Sequence, residues 1–146
     1  MLRFMNTDII IREATEEDAA AVVTLICQLG EDSEITEAYV PHYLSGSHRM
    51  ILLAEYNGQV QGLLSYSLRA DLFHAGNSVL IEELVVNEGA RGLGMGSALL
   101  QALLQRIQTQ DCKELCLAVM PENESAIRFY KRHGLVEEAL FLERHF

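Results

Sequence analysis

The sequence lacks any apolar run near the roughly 18–20 residues needed to cross a bilayer, which argues against a membrane-spanning helix. Internal repeats, low-complexity stretches and linkers are also missing, and the only two prolines are Pro41 and Pro121. The first eight residues lack the apolar core and small-residue cleavage site of a signal peptide. A length of 146 residues suits one domain with its own core, so we expect residues 1–146 to form a single domain.

Positive charge is scarce, because 11 lysines and arginines oppose 21 aspartates and glutamates, for a net charge of −10. Such a chain repels nucleic acid and anionic membrane surfaces at long range, so we expect neither as a partner. It attracts cationic ligands such as amines, although solubility alone explains the charge equally well.

Cysteine is also rare. The three cysteines, Cys27, Cys112 and Cys116, are odd in number and include no Cys-x-x-Cys pair. This pattern is typical of a reducing compartment, so we expect a cytoplasmic protein whose cysteines are small buried hydrophobes. A metal site would need closer spacing and histidine partners, so none is expected.

The hydrophobic pattern predicts an α/β (α+β) fold. Asn57-Gly58 between two β-rich runs is a strong hairpin signal. A strand meander followed by a crossover implies a mixed, mostly antiparallel central sheet with helices on both faces. The predicted strands are 8–12, 50–56, 59–68, 79–86 and 114–120, the predicted helices are 19–29, 35–44, 97–108 and 123–133, and residues 136–146 are expected to be extended.

A glycine-rich segment, Arg91-Gly-Leu-Gly-Met-Gly-Ser97, follows a predicted strand and opens a predicted helix. Free N–H groups at a helix N-terminus favour anions, so this loop predicts a phosphorylated ligand. A dinucleotide fingerprint fails because its third glycine would fall at Ser97. A Walker A loop fails because no lysine follows Gly94.

Two motifs in the second half of the chain resemble signatures of the GNAT superfamily of acyl-CoA-dependent N-acetyltransferases. The first is Arg-x-x-Gly-x-Gly, and the second is Asn-x-x-Ala-x-x-Phe-Tyr followed by Gly-Leu, where the family usually has Gly-Phe. They comprise Arg91, Gly94, Gly96, Asn123, Ala126, Phe129, Tyr130, Gly134 and Leu135. The resemblance extends from about Ile9 to the C-terminus and implies a GNAT-like fold with splayed central strands. Only twelve residues follow Gly134, so the usual terminal hairpin must be very short or a single bent strand.

The resemblance implies acetyl-CoA as co-substrate and a primary amine as acceptor. The residues expected to bind the co-substrate are Leu84, Val85, Val86, Arg91, Gly92, Leu93, Gly94, Met95, Gly96, Ser97, Asn123, Ala126 and Phe129. Among these, the Leu84–Val86 backbone would pair with the pantetheine arm, and an amide of Leu84 or Val85 would bind the oxyanion.

Direct acetyl transfer needs a base for the protonated amine and an acid for the leaving thiolate. Tyr130 is the expected acid. Glu82 and Glu83 are the candidate bases, and because strand side chains alternate we expect only one to face the cleft, with Glu82 favoured. His74, in the loop before this strand, is a further candidate for substrate binding or as the base.

Tyr39 and Tyr43 lie in the region where the family builds its acceptor pocket, and are expected to contact substrate. The short chain favours a small-molecule acceptor over a protein or peptide. A non-catalytic CoA-binding regulatory module on the same fold stays open as an alternative. The oligomeric state is also open between a monomer and a homodimer formed through the terminal strands.

Overall fold

The computed structural model of the protein describes residues 8–146. It contains five strands and four α-helices in the order β1-α1-α2-β2-β3-β4-α3-β5-α4 across these residues. Their bounds are β1 Ile9–Glu13, α1 Ala19–Ile26, α2 Tyr39–Leu44, β2 Arg49–Tyr56, β3 Gln59–Asp71, β4 Gly76–Val86, α3 Met95–Ile107, β5 Cys112–Leu117 and α4 Glu124–Arg132.

The strands form one sheet in sequential order. Strands β1 to β4 are antiparallel to their neighbours, and β5 joins β4 in parallel after the crossover through α3. The turn between β2 and β3 is Asn57-Gly58, with φ values of 52° and 78°. The predicted mixed, mostly antiparallel sheet and its first hairpin are therefore confirmed.

Helices cover both faces of the sheet, as predicted. Alternate residues of the central strands enter two separate clusters, which is the two-residue period of a sheet buried on both sides. Leu52 of β2 and Leu64 of β3 pack beneath α3, together with Leu99 and Leu103 of that helix. The neighbouring Leu53 and Leu63 point the other way, into the cluster formed with α1 and α2.

Strands β4 and β5 stay together for only part of their length. The last register pair between them is Ile81 with Leu117, where β5 ends, while β4 continues to Val86. Within the described residues, the last five residues of β4 thus have no strand partner on the β5 side. The predicted splay of the central strands is confirmed in this form.

Several predicted boundaries are wrong. The second helix begins at Tyr39 rather than at residue 35, so Pro41 falls in the first helical turn, where a missing N–H costs no hydrogen bond. Strand β3 continues to Asp71 and strand β4 already begins at Gly76. The expected loop of residues 71–78 is therefore only a short connection between the two strands. The polar composition of these residues suggested a loop, but backbone pairing between β3 and β4 extends both strands into it.

The C-terminal segment does not become a strand. After the helix-terminating Gly134, residues 135–146 have no regular secondary structure and do not join the sheet. Large apolar side chains in this segment are exposed: Val136, Leu140, Phe141, Leu142 and Phe146. Neither the short hairpin nor the single bent strand expected for this segment is present in this chain's sheet.

The three cysteines are free, but the prediction that they are buried is wrong. Cys27 is exposed because it lies one residue beyond the end of α1, off the face that buries Val22 and Leu25. Cys112 and Cys116 are half-buried on the edge strand β5. No helix within residues 8–146 is both long and apolar enough to span a membrane.

Candidate active site

Strand β4 carries one extra residue relative to β3. Ser65 pairs with Glu83 and Tyr66 pairs with Ile81, so Glu82 has no register partner on β3. Such a bulge resets the alternation of side chains between the two faces of a sheet. Ile81 therefore packs beneath α3, whereas Glu83 faces α1 and α2. Because Glu82 lines the same cavity as Glu83, the prediction that only one glutamate faces the cleft is wrong.

The two glutamates lie in the wall of a cavity of about 550 Å³ between the sheet and helices α1 and α2. Its apolar surface comes from both helices and from the central strands. Its polar surface is one serine, two tyrosines and three glutamates. The lining residues are Val22, Ile26, Glu34, Ile35, Tyr39, Val40, Tyr43, Ile51, Leu63, Ser65, Glu82 and Glu83. The predicted substrate residues Tyr39 and Tyr43 are thus brought together with both predicted bases.

Glu83 is the more enclosed of the two glutamates. The hydroxyl of Ser65, only 2% exposed, donates to Glu83 Oε1 at 2.7 Å and accepts from the Glu83 backbone N–H at 3.1 Å. Burial raises the pKa of Glu83, an effect that the Ser65 hydrogen bond partly opposes. A carboxylate with a raised pKa is closer to the operating pH and is a better general base than a solvated one.

Glu82 has a different environment. It is exposed, and its Oε2 accepts a 2.9 Å hydrogen bond from the phenol of Tyr43. Burial and this carboxylate raise the pKa of Tyr43, so the phenol remains a hydrogen-bond donor. On its other side, the Tyr43 ring lies 5.3 Å from the guanidinium carbon of Arg49. Glu82 and Tyr43 therefore form a fixed pair that tethers α2 to the bulge in β4.

The glycine loop leads directly into α3, as predicted. Gly92 and Gly94 have φ values of 85° and 90°, and Gly94 is the N-cap of the helix. A side chain is strained in this left-handed region, which explains glycine at the cap. No side chain caps α3, so its first N–H groups are available to an anion.

The glycine loop is also fixed to the neighbouring elements. Arg91 is exposed, and its Nε donates to the carbonyl of Val86 at the end of β4 (3.2 Å). A Cβ placed on Gly96 would lie 3.5 Å from the ring of Phe129, an ordinary van der Waals distance, so the start of α3 lies next to α4. The loop residues predicted to bind phosphate therefore lie between the end of β4 and helix α4.

Helix α4 begins and packs as the sequence suggests. The Asn123 side chain accepts from the Ala126 backbone N–H at 3.3 Å, which caps the helix. Phe129 and Tyr130 pack edge to face at 5.3 Å against the cluster beneath α3. Burial raises the pKa of Tyr130, so its phenol stays protonated at neutral pH.

The candidate residues thus occupy both faces of the sheet. Tyr130 and the glycine loop accompany α3 and α4, while Glu82 and Glu83 line the cavity on the opposite face. The gap between β4 and β5, after Ile81 and Leu117, is where the two faces approach one another. Residues 84–86 border this gap, although Val85 itself is buried in the α1–α2 cluster.

His74 lies elsewhere. It is exposed at the tip of the β3–β4 hairpin, where its Nδ1 is 2.6 Å from Asp71 Oδ2, and this contact raises the pKa of the imidazole. Glu82 lies six residues after Gly76 along β4, which at the usual strand rise is about 20 Å. His74 is not among the cavity residues, so the structure does not bring it to the candidate bases.

The family of this chain follows from comparison with known sequences. Residues 13–135 match the family model described as "Acetyltransferase (GNAT) family". The chain belongs to the GNAT family of acetyltransferases. Members of the family are acetyl-CoA-dependent acyltransferases, so this chain is an enzyme of that class. The family resemblance expected from the two motifs is therefore confirmed.

Curated relatives of this GNAT acetyltransferase carry enzyme names. An aminoalkylphosphonate N-acetyltransferase from Salmonella typhimurium is 32% identical over 127 residues, which covers 85% of this chain and 82% of the relative. A spermine/spermidine N(1)-acetyltransferase from Bacillus subtilis is 30% identical over 82 residues, covering 54% of each chain. An aminoglycoside acetyltransferase from an uncultured soil metagenomic sample, solved in complex with sisomicin, superposes with a TM-score of 0.81 at 15% identity, covering 97% of each chain. The last comparison shows the shared fold alone.

Two cavity residues of this GNAT acetyltransferase were missed by the sequence reasoning. Ser65 lies in an apolar strand, and only the register opposite Glu83 shows that it faces the carboxylate. Glu34 lies in the loop before α2, where it is exposed and lines the rim of the cavity. Both depend on contacts between segments far apart in the sequence.

Proposed function

We propose that this protein transfers an acetyl group from acetyl-CoA to a primary amine of a small molecule. The observation that carries the proposal is the pair Glu82 and Glu83, placed by the β4 bulge in one cavity beside the gap between β4 and β5. The relatives named for aminoalkylphosphonate and for spermine and spermidine support an amine acceptor. We place the enzyme in the cytoplasm, a compartment that suits its three free cysteines.

The residues of the chain fit acetyl-CoA as co-substrate. The uncapped N-terminus of α3, with glycines at its cap and in the loop before it, suits a pyrophosphate. The β4 segment without a β5 partner suits the peptide-like pantetheine arm, which can pair with it as an added strand. The residues proposed to hold it are those of the loop (Arg91, Gly92, Leu93, Gly94, Met95, Gly96, Ser97), of β4 (Leu84, Val85, Val86) and of α4 with its cap (Asn123, Ala126, Phe129).

In the proposed reaction, the amine nitrogen forms a bond to the acetyl carbon, the carbon–sulfur bond breaks, and CoA leaves as the thiol. Glu83 removes the proton from the amine, directly or through one water, because its raised pKa and half-buried position suit a base. Tyr130 supplies the proton to the sulfur, because its phenol stays protonated. An amide of Leu84 or Val85 hydrogen-bonds to the carbonyl oxygen where negative charge develops.

The size of the cavity favours a small acceptor over a protein chain. A volume of about 550 Å³ is within the range of small-molecule pockets. The cavity lies between the sheet and helices α1 and α2, and its lining is mostly apolar. A peptide would need a long open groove in addition to this cavity.

We also propose that the enzyme works as a homodimer. Strand β5 lies at the end of the sheet, so one of its edges is free of strand partners within residues 8–146. The segment after α4 exposes five large apolar side chains. Unpaired strand edges and exposed apolar segments are the features that a second copy can cover.

The proposed activity is tested first by thermal unfolding with and without acetyl-CoA. At 100 times its dissociation constant, a ligand stabilises the fold by about 2.7 kcal/mol, which raises Tm by several degrees. We then expect release of free thiol when a panel of small amines is added. Stabilisation by acetyl-CoA without thiol release from any amine would favour the non-catalytic CoA-binding module instead. No stabilisation would contradict the proposal altogether.

A further inference from the structure

We propose that the acceptor is an aliphatic diamine or polyamine, that is, an amine with a second cationic nitrogen and no anionic group. This inference rests on the proposed function and names the acceptor within it. It is carried by the charge, position and chemistry of the cavity lining, taken together.

The charged groups of the cavity all have one sign. Its lining includes three carboxylates, from Glu34, Glu82 and Glu83, and no lysine, arginine or histidine. Arg49, the basic side chain over the ring of Tyr43, is itself not part of the lining. An apolar ligand bound over these carboxylates would displace their water without replacing its hydrogen bonds, and this desolvation costs free energy. A ligand with cationic nitrogens satisfies them instead.

The carboxylates are held at two separate places. Glu82 and Glu83 lie on β4 at the bulge, where the acetyl group would be delivered. Glu34 lies on the loop between α1 and α2, beside the half-exposed Tyr39 at the rim. One nitrogen can therefore react near Glu83 while a second is bound at Glu34.

More than half of the surface that lines the cavity is apolar. Val22, Ile35 and Val40 come from α1, the loop after it and α2, and Ile51 and Leu63 come from the sheet. A surface of this kind packs against methylene groups and offers no partners for a chain rich in hydroxyls. The spacer between the nitrogens is accordingly a hydrocarbon chain.

The same lining excludes an amine that carries a phosphonate. A phosphonate dianion would meet carboxylates and find no cationic side chain in the cavity, and like charges at close range repel strongly where water is scarce. The relative from Salmonella typhimurium is named for aminoalkylphosphonates. This chain is therefore expected to differ from that relative in acceptor charge despite 32% identity.

The test compares three acceptors of similar length at saturating acetyl-CoA: 1,5-diaminopentane, n-pentylamine and 3-aminopropylphosphonate. Thiol release gives kcat/KM for each. We expect the diamine to exceed pentylamine by about 10-fold or more, the usual size of a charge-assisted hydrogen bond, and to exceed the phosphonate by a wider margin. Equal values for diamine and monoamine, or a preference for the phosphonate, would overturn the inference and leave the proposed function intact. Inactivity with all three and with every other small amine would instead defeat the proposed function.

A matched pair of variants locates the second cation. Glu34→Gln removes the rim carboxylate, and Glu31→Gln removes an exposed carboxylate three residues earlier that does not line the cavity. We expect Glu34→Gln to reduce the diamine-to-pentylamine ratio about 10-fold, mainly through KM for the diamine, while Glu31→Gln leaves the ratio unchanged. An unchanged ratio in Glu34→Gln, or equal losses in both variants, would contradict binding of the second nitrogen at Glu34.

Discussion

At the scale of single residues, two adjacent glutamates have different chemistry because their neighbours differ. Glu83 is half-buried beside the hydroxyl of Ser65, which donates to its carboxylate at 2.7 Å. Glu82 is exposed and accepts from Tyr43. Burial raises the pKa of Glu83. Glu83 is therefore our candidate base, although the sequence alone favoured Glu82.

Glu83→Gln is expected to lower kcat by about 100-fold or more, because the amine then lacks a base. The amide oxygen can still accept from Ser65, so the variant should fold. Glu82→Gln is the matched control and should lower kcat far less. Similar losses in kcat for the two variants would contradict the assignment of Glu83.

The same variant should change how stability depends on pH. The folded-state pKa of Glu83 is raised above the ordinary value of 4.5, so the stability that neutral Glu83 contributes is fully present below that value and is lost as pH rises through the folded pKa. Glutamine does not titrate. We therefore expect Glu83→Gln and the native chain to have similar Tm near pH 4, and the variant to have the higher Tm at pH 7.

Tyr130→Phe tests the proposed acid. The phenylalanine ring retains the edge-to-face contact with Phe129 at the cluster beneath α3, so stability and acetyl-CoA affinity should change little. Loss of the phenol should lower kcat by about 100-fold, since no other group is proposed to protonate the leaving sulfur. Turnover equal to that of the native chain would remove Tyr130 from this role.

At the scale of secondary-structure elements, the bulge in β4 and the early end of β5 create the candidate site. Neither is encoded in a local pattern. Alternation along residues 79–86 predicted opposite faces for the two glutamates, and only the register against β3 shows the extra residue. Local signals predicted the Asn57-Gly58 hairpin and the helix after the glycine loop, because the interactions that form them are close in sequence.

Long-range contacts account for most of the other differences. His74 was predicted to lie near the site because the sequence suggested a longer loop before the strand. Strand pairing instead extends β3 and β4, so His74 lies at the hairpin tip. The glycine loop and α4, both assigned to the co-substrate by the family motifs, lie next to one another, since a Cβ on Gly96 would be 3.5 Å from the ring of Phe129.

The α3 N-terminus can be tested with a pair of glycine variants. Gly94→Glu places a side chain at a φ of 90° and a negative charge at the helix N-cap, where we propose that the pyrophosphate binds. We expect loss of the thermal stabilisation by acetyl-CoA. Gly89→Glu adds the same charge five residues earlier, where a Cβ has open space and φ is not positive, and should keep that stabilisation. Normal acetyl-CoA binding by Gly94→Glu would contradict the assignment of the loop.

At the scale of the whole molecule, the segment after α4 stands out because it exposes five large apolar side chains to solvent. Leu140 and Leu142 are 92% and 87% exposed, and the last strand of the sheet, β5, has an edge without a strand partner within residues 8–146. A single copy therefore leaves apolar side chains of this segment in water and leaves one strand edge unpaired. A twofold dimer in which each copy covers the other's segment would bury both in one symmetric interface.

We expect light scattering after size exclusion to give twice the chain mass of 16.4 kDa for the native protein. Leu140→Asp introduces a charge into the proposed interface and should shift the protein to the monomer mass. Leu72→Asp is the matched control, because Leu72 is 100% exposed at the β3–β4 hairpin tip and is not part of the proposed interface, so its substitution should keep the dimer. A native protein that is monomeric at micromolar concentration would contradict the proposed interface. So would a dimer that persists in Leu140→Asp but dissociates in Leu72→Asp. Circular dichroism of Leu140→Asp separates dissociation from unfolding, because the side chain contributes little to the core of a single copy.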